Sequence, residues 1–171
     1  MRCLALTIVW LALGCSDGDP MEPAPLTDRV VAAPTKRPEL PFHTIFSGNA
    51  NPQPTPNPCI LANRETGSGT AMHLGRFTWL SDETVDLCPV PGHGMVTGHF
   101  VLAAANRDQI YGQYQTDAQF DLNGVSVIGR YQLTGGTGRF KDASGSGTLE
   151  AMGALAPPFP FEASLSGTIS Y

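Results

Sequence analysis

A chain of 171 residues and 18.1 kDa has room for one ordinary domain with additional segments. Only 15 % of its residues are charged, and its 19 glycines and 15 prolines favour turn-rich β structure over charged amphipathic helices. The formal net charge of −5 provides no basic surface for phosphates, which argues against nucleic acid as a partner.

The first fifteen residues have the features of an export signal. Arg2 precedes an apolar run over residues 3–13, which is shorter than the ~20 residues that a membrane-spanning helix needs. The run ends in ALGC, with Cys15 last, and this string resembles the lipobox of bacterial lipoproteins. In that class the cysteine receives a thioether-linked diacylglycerol, and the chain is cut in front of it. We therefore predict a signal peptide over residues 1–14 and an acylated Cys15.

The resemblance also implies a location. Ser16, directly after the cysteine, implies the bacterial outer membrane rather than retention at the inner membrane. Several acyl chains hold a protein stably on a membrane, so the membrane itself is a predicted partner. The alternatives to a lipoprotein signal are an ordinary signal peptide cut near Gly14 and a buried first strand.

Two proline-rich stretches follow. Residues 16–39 contain no sustained apolar period, so we predict that residues 15–39 form a disordered, partly polyproline tether behind the lipidated cysteine. A first strand is predicted at 40–47, and the stretch NANPQPTPNP at 49–58 is predicted as a long surface loop.

The rest of the domain, residues 40–171, reads as β-strands. Apolar and polar residues alternate over 161–171 and, apart from Ile128, over 125–133, which is the pattern of half-buried strands. Asn106-Arg107-Asp108 is a predicted turn, and 151–156 is compatible with one turn of helix. Further strands are predicted at 70–80, 83–87, 94–105, 109–116 and 145–153. Glycines near the strand middles favour a small closed barrel, with a β-sandwich as the alternative.

The glycine-rich stretch TGGTGRFKDASGSGT, residues 134–148, is predicted to be a β-turn. It has neither the GxxxxGK[ST] spacing of a phosphate-binding loop nor the GxGxxG spacing of a dinucleotide fold, and its flanks are strand-like. Gly135, Gly136 and Gly138 would supply positive φ angles, while Phe140 would pack onto the core. Arg139 is expected to pair locally, with Asp142.

Three strings together resemble those of the allene oxide cyclase-like and dirigent-like β-barrel group: TAMHLGRFTW (70–79), LAAANRDQIYGQY (102–114) and GGTGRFKDASGSGT (135–148). Many bacterial members of that group are secreted proteins without an assigned role. The resemblance implies an eight-stranded antiparallel, calycin-like barrel with an apolar cavity, and a homo-oligomer, in particular a trimer. One departure is Arg107, which stands where the group usually has glycine. No motif match supports carrying over a catalytic residue.

Only two of the four cysteines remain as candidates for a disulfide. Cys3 leaves with the signal and Cys15 takes the lipid, so we predict a disulfide between Cys59 and Cys88 in an oxidising compartment. Two free thiols or a metal site are the alternatives. The four histidines lack HxH or HExxH spacing, so neither a metal site nor any other cofactor is predicted.

The predicted barrel interior is the remaining candidate site. Phe100, Tyr114, Tyr131 and Tyr171 are expected to face inward and to line any cavity, although inward aromatic residues are most often plain core. The acidic residues of 82–86 are interpreted as a solvated turn rather than a catalytic carboxylate pair.

These observations predict a non-enzymatic outer-membrane lipoprotein that binds a small apolar ligand or another envelope component. The alternatives are an isomerase or cyclase that acts on a lipid-derived substrate, as the family resemblance permits, and a structural or protein-interaction module. A buried ionisable group in the cavity would favour the enzyme, an all-apolar cavity the binder, and a filled barrel the interaction module.

Overall fold

The computed structural model describes residues 37–171. The predicted signal peptide, the lipidated Cys15 and nearly all of the predicted tether at 15–39 lie outside the described residues. Within the described part of the chain, no helix is long and apolar enough to span a membrane.

The described chain is a closed barrel of eight antiparallel strands. Every strand pairs with the next one along the chain, and the last strand closes the barrel by pairing with the first. The predicted all-β barrel is therefore confirmed, and the sandwich alternative is excluded. The strands are β1 (Leu40–Pro54), β2 (Ile60–Ala71), β3 (Gly75–Asp86), β4 (His93–Ala104), β5 (Gln109–Asp121), β6 (Gly124–Gly136), β7 (Ser144–Gly153) and β8 (Pro160–Ser170).

Alternation of side chains separates the barrel interior from its outer face. On β3, Phe77 and Trp79 are buried while Thr78 between them is exposed, as the two-residue period of a strand requires. On β8, Phe161 and Leu165 point inward in the register expected from the sequence. Because closure pairs every strand on both sides, this small barrel has no free sheet edge.

The two ends of the barrel differ. One end carries the start of β1, the turns after β2, β4 and β6, and the end of β8. Phe140, which is fully buried, closes this end, and its ring lies 4.8 Å from that of Tyr171. The opposite end carries the loops after β1, β3, β5 and β7 and leads into the cavity described below. We call these the closed end and the open end.

The predicted proline-rich loop at 49–58 is wrong in its first half, because β1 continues to Pro54. The backbone N–H of Ala50 donates to Phe159 O on the β8 side, and Pro52 and Pro54 have the same strand parity as Ala50. Their nitrogens therefore point to the side on which β8 has not yet begun, where no ladder hydrogen bond is lost.

Two further predictions of local structure need correction. The strand predicted at 70–80 spans the end of β2, a turn at 72–74 and the start of β3, with His73 in the left-handed region at φ 69°. The helical turn at 151–156 does not form, since β7 runs to Gly153. The turn at Asn106-Arg107-Asp108 is confirmed, with Arg107 at φ 71°.

The glycine-rich stretch contains the β6–β7 turn, as predicted, but Gly136 ends β6 without the positive φ angle expected for it. Gly135 and Gly138 have φ angles of 138° and 57°, and a single 3-10 turn, Gly138–Phe140, connects β6 to β7. Arg139 pairs with Asp108, 3.6 Å away, and donates to His73 O at 2.6 Å. The predicted pairing with Asp142 is wrong, because the 3-10 turn directs Arg139 toward the β4–β5 turn; Asp142 instead bonds to Arg37.

The disulfide between Cys59 and Cys88 is present. It joins the loop after β1 to the loop after β3 at the open end of the barrel. A crosslink between residues 29 positions apart contributes roughly 3–4 kcal/mol in the chain-entropy account. It therefore fastens two of the four loops that surround the cavity mouth.

Candidate functional site

The open end leads into a cavity of about 270 Å³, which we call the upper cavity. All eight strands contribute to its wall, which is mostly aliphatic and aromatic. The polar side chains in that wall are those of Asn63, Glu65 and Glu83. An apolar pocket with a few converging polar groups is the usual form of a small-molecule site.

A second space of about 40 Å³, the lower void, lies deeper in the barrel. It shares Glu65 and Glu83 with the upper cavity, so the two carboxyl groups stand at the junction of the two spaces. Four aromatic rings, those of Phe46, Trp79, Tyr114 and Phe161, line the lower void. The interior therefore changes from an aliphatic mouth to an acidic and aromatic base.

A stack of three aromatic rings runs across the barrel at this depth. Trp79 lies between Phe46 and Phe100, with ring centroids 4.5 Å and 4.9 Å away. All three side chains are at most 3 % exposed. The stack holds Trp79 so that its indole Nε1 donates to Glu65 Oε2 at 3.1 Å. Of the two carboxyl oxygens of Glu65, only Oε2 receives a hydrogen bond from the described residues.

Glu83 has a fuller set of partners. Asn63 Nδ2 donates to Glu83 Oε1 at 2.6 Å, and the Tyr114 hydroxyl makes a short hydrogen bond to Glu83 Oε2. Tyr114 reaches this position because its ring lies against Gly98, where a Cβ atom would come within 2.5 Å of Tyr114 Cζ. Glycine at position 98 thus makes room for the Tyr114–Glu83 contact.

The hydroxyl groups beside Glu83 form a chain that is one proton short when Glu83 is ionised. Ser81 Oγ donates to His99 O at 3.1 Å and also lies 2.6 Å from Tyr114 Oη. Ser81 and Tyr114 each have one hydroxyl hydrogen, whereas the chain from His99 O to Glu83 has three contacts. All three are hydrogen bonds at once only when Glu83 supplies the third proton. The geometry therefore suits a protonated Glu83.

The pKa shifts of Glu65 and Glu83 agree with this count of hydrogen atoms. Burial, followed by the nearby charge of Glu83, raises the pKa of Glu65 to about 8, and the indole hydrogen bond offsets only part of that rise. Burial also raises the pKa of Glu83, against the opposing hydrogen bonds from Tyr114 and Asn63. Burial and the two carboxylates raise the pKa of Tyr114 as well, so it stays a neutral phenol. Near neutral pH the Glu65–Glu83 pair therefore holds a proton.

Two buried hydroxyl groups have no hydrogen-bond partner among the described residues: Thr116 Oγ1 and Tyr131 Oη. Thr116 is 3 % exposed and lies in the inward row of β5 between Tyr114 and Ala118, which line the lower void and the upper cavity. Leaving a buried hydroxyl unpaired costs about 1–3 kcal/mol. Thr116 is therefore a buried hydroxyl without a hydrogen-bond partner among residues 37–171.

The residues predicted to line the cavity have different positions. Phe100, Tyr114 and Tyr131 are buried inside the barrel, and of these Tyr114 lines the lower void. Phe100 belongs to the aromatic stack, and Tyr131 lies beyond it with its hydroxyl over Gly167. Tyr171 lies at the closed end against Phe140. The upper cavity itself is lined by other residues.

Glu65 and Glu83 are the important residues that sequence reasoning missed. The acidic run at 82–86 is not one solvated face: Asp82 points outward to Arg64 at 2.7 Å, whereas Glu83 points inward. The sequence pattern that identifies Glu83 is its parity with Phe77, Trp79 and Val85. Glu65 was missed because no strand was predicted over 60–69.

Metal binding finds no support in residues 37–171, where no group of three or more histidine, cysteine, aspartate or glutamate side chains is placed to hold an ion. Searches of protein-family models, of curated proteins and of solved structures found no match to this chain.

Proposed function

We propose that this protein binds a small, mostly apolar molecule inside its barrel, through the open end. The observation that carries the proposal is the upper cavity of about 270 Å³, whose wall is apolar apart from Asn63 and the two glutamates. An apolar body gains free energy when it leaves water for such a wall, and the glutamates at its base receive one polar group. Burying two carboxyl groups costs free energy of folding, and this cost favours a functional role for the pair.

Filling the cavity is expected to abolish binding. Ala151 on β7 lines both the upper cavity and the lower void, so phenylalanine at this position would occupy the space that the ligand needs. We expect Ala151→Phe to weaken binding of 4-phenylbutanol, a neutral probe with an apolar body and one hydroxyl, by at least about tenfold in isothermal titration calorimetry.

The matched control is Ala62→Phe, because Ala62 is exposed on the outer face of β2. This variant is expected to bind the probe like the wild-type chain. Equal binding by the wild-type chain and Ala151→Phe would place the probe outside the barrel and contradict the proposal.

Proton-transfer catalysis is the second candidate, and the carboxyl pair favours it. The Glu65–Glu83 pair provides a proton donor near neutral pH beside an apolar cavity, as an isomerase or cyclase for a lipid-derived substrate requires. Both candidates need the same cavity, so binding is common to them. They differ in whether the molecule leaves changed, and mass spectrometry of the ligand released after incubation with the protein distinguishes them.

We also propose that the protein is attached to the outer membrane of a bacterial cell envelope through Cys15. The support is the lipobox-like ALGC ending and the oxidising compartment that a Cys59–Cys88 disulfide indicates. In cells fed an alkyne-labelled fatty acid, the wild-type chain is expected to carry label, and Cys15→Ser is expected to lose it. Cys3→Ser, the control, keeps the label. Labelled Cys15→Ser protein would overturn the anchor.

A further inference from the structure

The balance of charge differs between the two ends of the barrel, although Asp108 and Asp142 at the closed end pair with arginines there. Basic side chains collect at the closed end, where Arg37, Arg76, Arg107, Arg139 and Lys141 lie before β1, at the start of β3 or in turns. The open half carries mostly acidic side chains, namely Asp86, Asp117, Asp121, Glu150 and Glu162, and its arginine, Arg64, is paired with Asp82. No lysine or arginine of residues 37–171 lies in a loop of the open end. An acidic mouth over a low-dielectric interior attracts cations and repels anions.

The base of the barrel interior also favours a cation over an anion. Glu65 has an oxygen, Oε1, that no described residue bonds, and Glu83 lies beside it at the junction of the two spaces. An ammonium group has three N–H donors and no acceptor, which complements carboxylate oxygens. The lower void, at about 40 Å³, is slightly larger than the ~30 Å³ that one water molecule takes up in the liquid, so it has room for an ammonium group.

We propose that the ligand is an organic cation, a compact apolar body that carries one protonated amine. The amine lies in the lower void against Glu65 and Glu83, and the apolar body fills the upper cavity. This inference rests on the proposed binding function and names the chemical class of the ligand.

Other ligand classes fit less well. A fatty acid or another anion would bring a second negative charge beside the one that the singly protonated carboxyl pair carries near neutral pH. A calcium ion needs six to eight oxygen ligands, and the polar side chains of the upper cavity are two glutamates and one asparagine. A neutral alcohol can exchange hydrogen bonds with the pair but brings no positive charge to it.

Binding of the cation changes the protonation state of the carboxyl pair. The free pair holds a proton near neutral pH, and the other titratable groups inside the barrel, Tyr114 and Tyr131, stay neutral because burial raises the pKa of each. An ammonium beside the pair favours two ionised carboxylates, so the site releases its proton to solvent when the amine binds. A neutral ligand causes no such release.

The test compares three probes that share one apolar body: 4-phenylbutylamine, 4-phenylbutanol and 4-phenylbutanoate. Isothermal titration calorimetry at pH 7, in two buffers that differ in ionisation enthalpy, gives both the affinity and the number of protons released. We expect the amine to bind at least about tenfold more tightly than the alcohol, with release of close to one proton, and the carboxylate to bind most weakly.

Glu65→Gln is the matched variant, because glutamine keeps an oxygen for the Trp79 indole and removes the charge. In this variant only Glu83 remains to face the amine, so the preference for the amine over the alcohol is expected to fall to about threefold. Glu150→Gln is the control, since Glu150 is exposed on the outer face of β7. It is expected to keep the wild-type preference.

The outcomes separate the two proposals. If the alcohol binds as tightly as the amine and no proton is released, the cationic ligand is refuted while the binding site in the barrel stands. If none of the three probes binds the wild-type chain, the proposed binding function itself is refuted. The wild-type comparison is independent of whether the Glu65→Gln chain folds.

Discussion

Replacing Phe100 with alanine is expected to lower the free energy of unfolding by about 3–5 kcal/mol, the range for large aromatic residues in tight cores. Phe100 is 2 % exposed, stacks on Trp79 and lies edge-on to Tyr131. Its ring also covers Gly112 on the neighbouring strand, where a Cβ atom would come within 2.2 Å of Phe100 Cζ. Alanine would thus leave a hole against a backbone that has no side chain to fill it.

Urea denaturation followed by circular dichroism measures this loss. Phe120→Ala is the control, because Phe120 is only half-buried in the wall of the open cavity, and its removal enlarges a space that already exists. We expect Phe120→Ala to lose less than half as much free energy of unfolding as Phe100→Ala. Equal losses for the two variants would mean that the aromatic stack is no better packed than the wall of the upper cavity.

The free energy of unfolding is expected to fall as the pH rises from about 5 to about 8, opposite to the usual behaviour of proteins rich in paired carboxylates. The pKa of Glu65 is near 8 in the folded barrel and near its ordinary value of 4.5 in the unfolded chain. The folded state therefore binds the extra proton, so its stabilising effect is complete below the unfolded pKa and is lost as the pH passes through the folded one. One such proton gives a slope that approaches about 1.4 kcal/mol per pH unit.

Neighbouring groups do not reverse this sign. Glu83 shifts in the same direction as Glu65, and Tyr114 shifts upward from a value already above the window. The pKa of Asp82, lowered by its hydrogen bond to Arg64, affects stability only at more acidic pH. Denaturation at several pH values checks the slope, which should be much smaller in Glu65→Gln and unchanged in Glu150→Gln. A wild-type stability that rises over this range would show that the pair is ionised in the fold.

The strands that sequence reasoning predicted best have apolar inward rows. In β8 and the middle of β6 the alternation is apolar against polar, so the period of two is visible in the composition itself. After Ile60 and Leu61, β2 has only polar or small residues on both faces, with Asn63, Glu65 and Gly67 pointing inward, so its pattern is not visible until its neighbours are in place. The prolines at 52 and 54 misled for a different reason, because their cost depends on which side of β1 lacks a partner.

The candidate site was beyond sequence reasoning for a related reason. Glu65 and Glu83 are 18 positions apart and meet only through the register of β2 against β3, in which Asn63 faces Glu83 and Glu65 faces Ser81. The same features that make these residues functional candidates, inward charge and broken apolar alternation, hide the strand that carries Glu65. The disulfide was predictable because elimination among four cysteines needs no geometry.

The most direct measurement is a crystal structure of the chain grown with 4-phenylbutanol at saturating concentration. The account predicts density for the phenyl ring in the upper cavity, with the hydroxyl oxygen within about 2.5–3.2 Å of Glu65 or Glu83. A map that shows the interior filled by protein side chains, or the probe bound only outside the barrel, would contradict it.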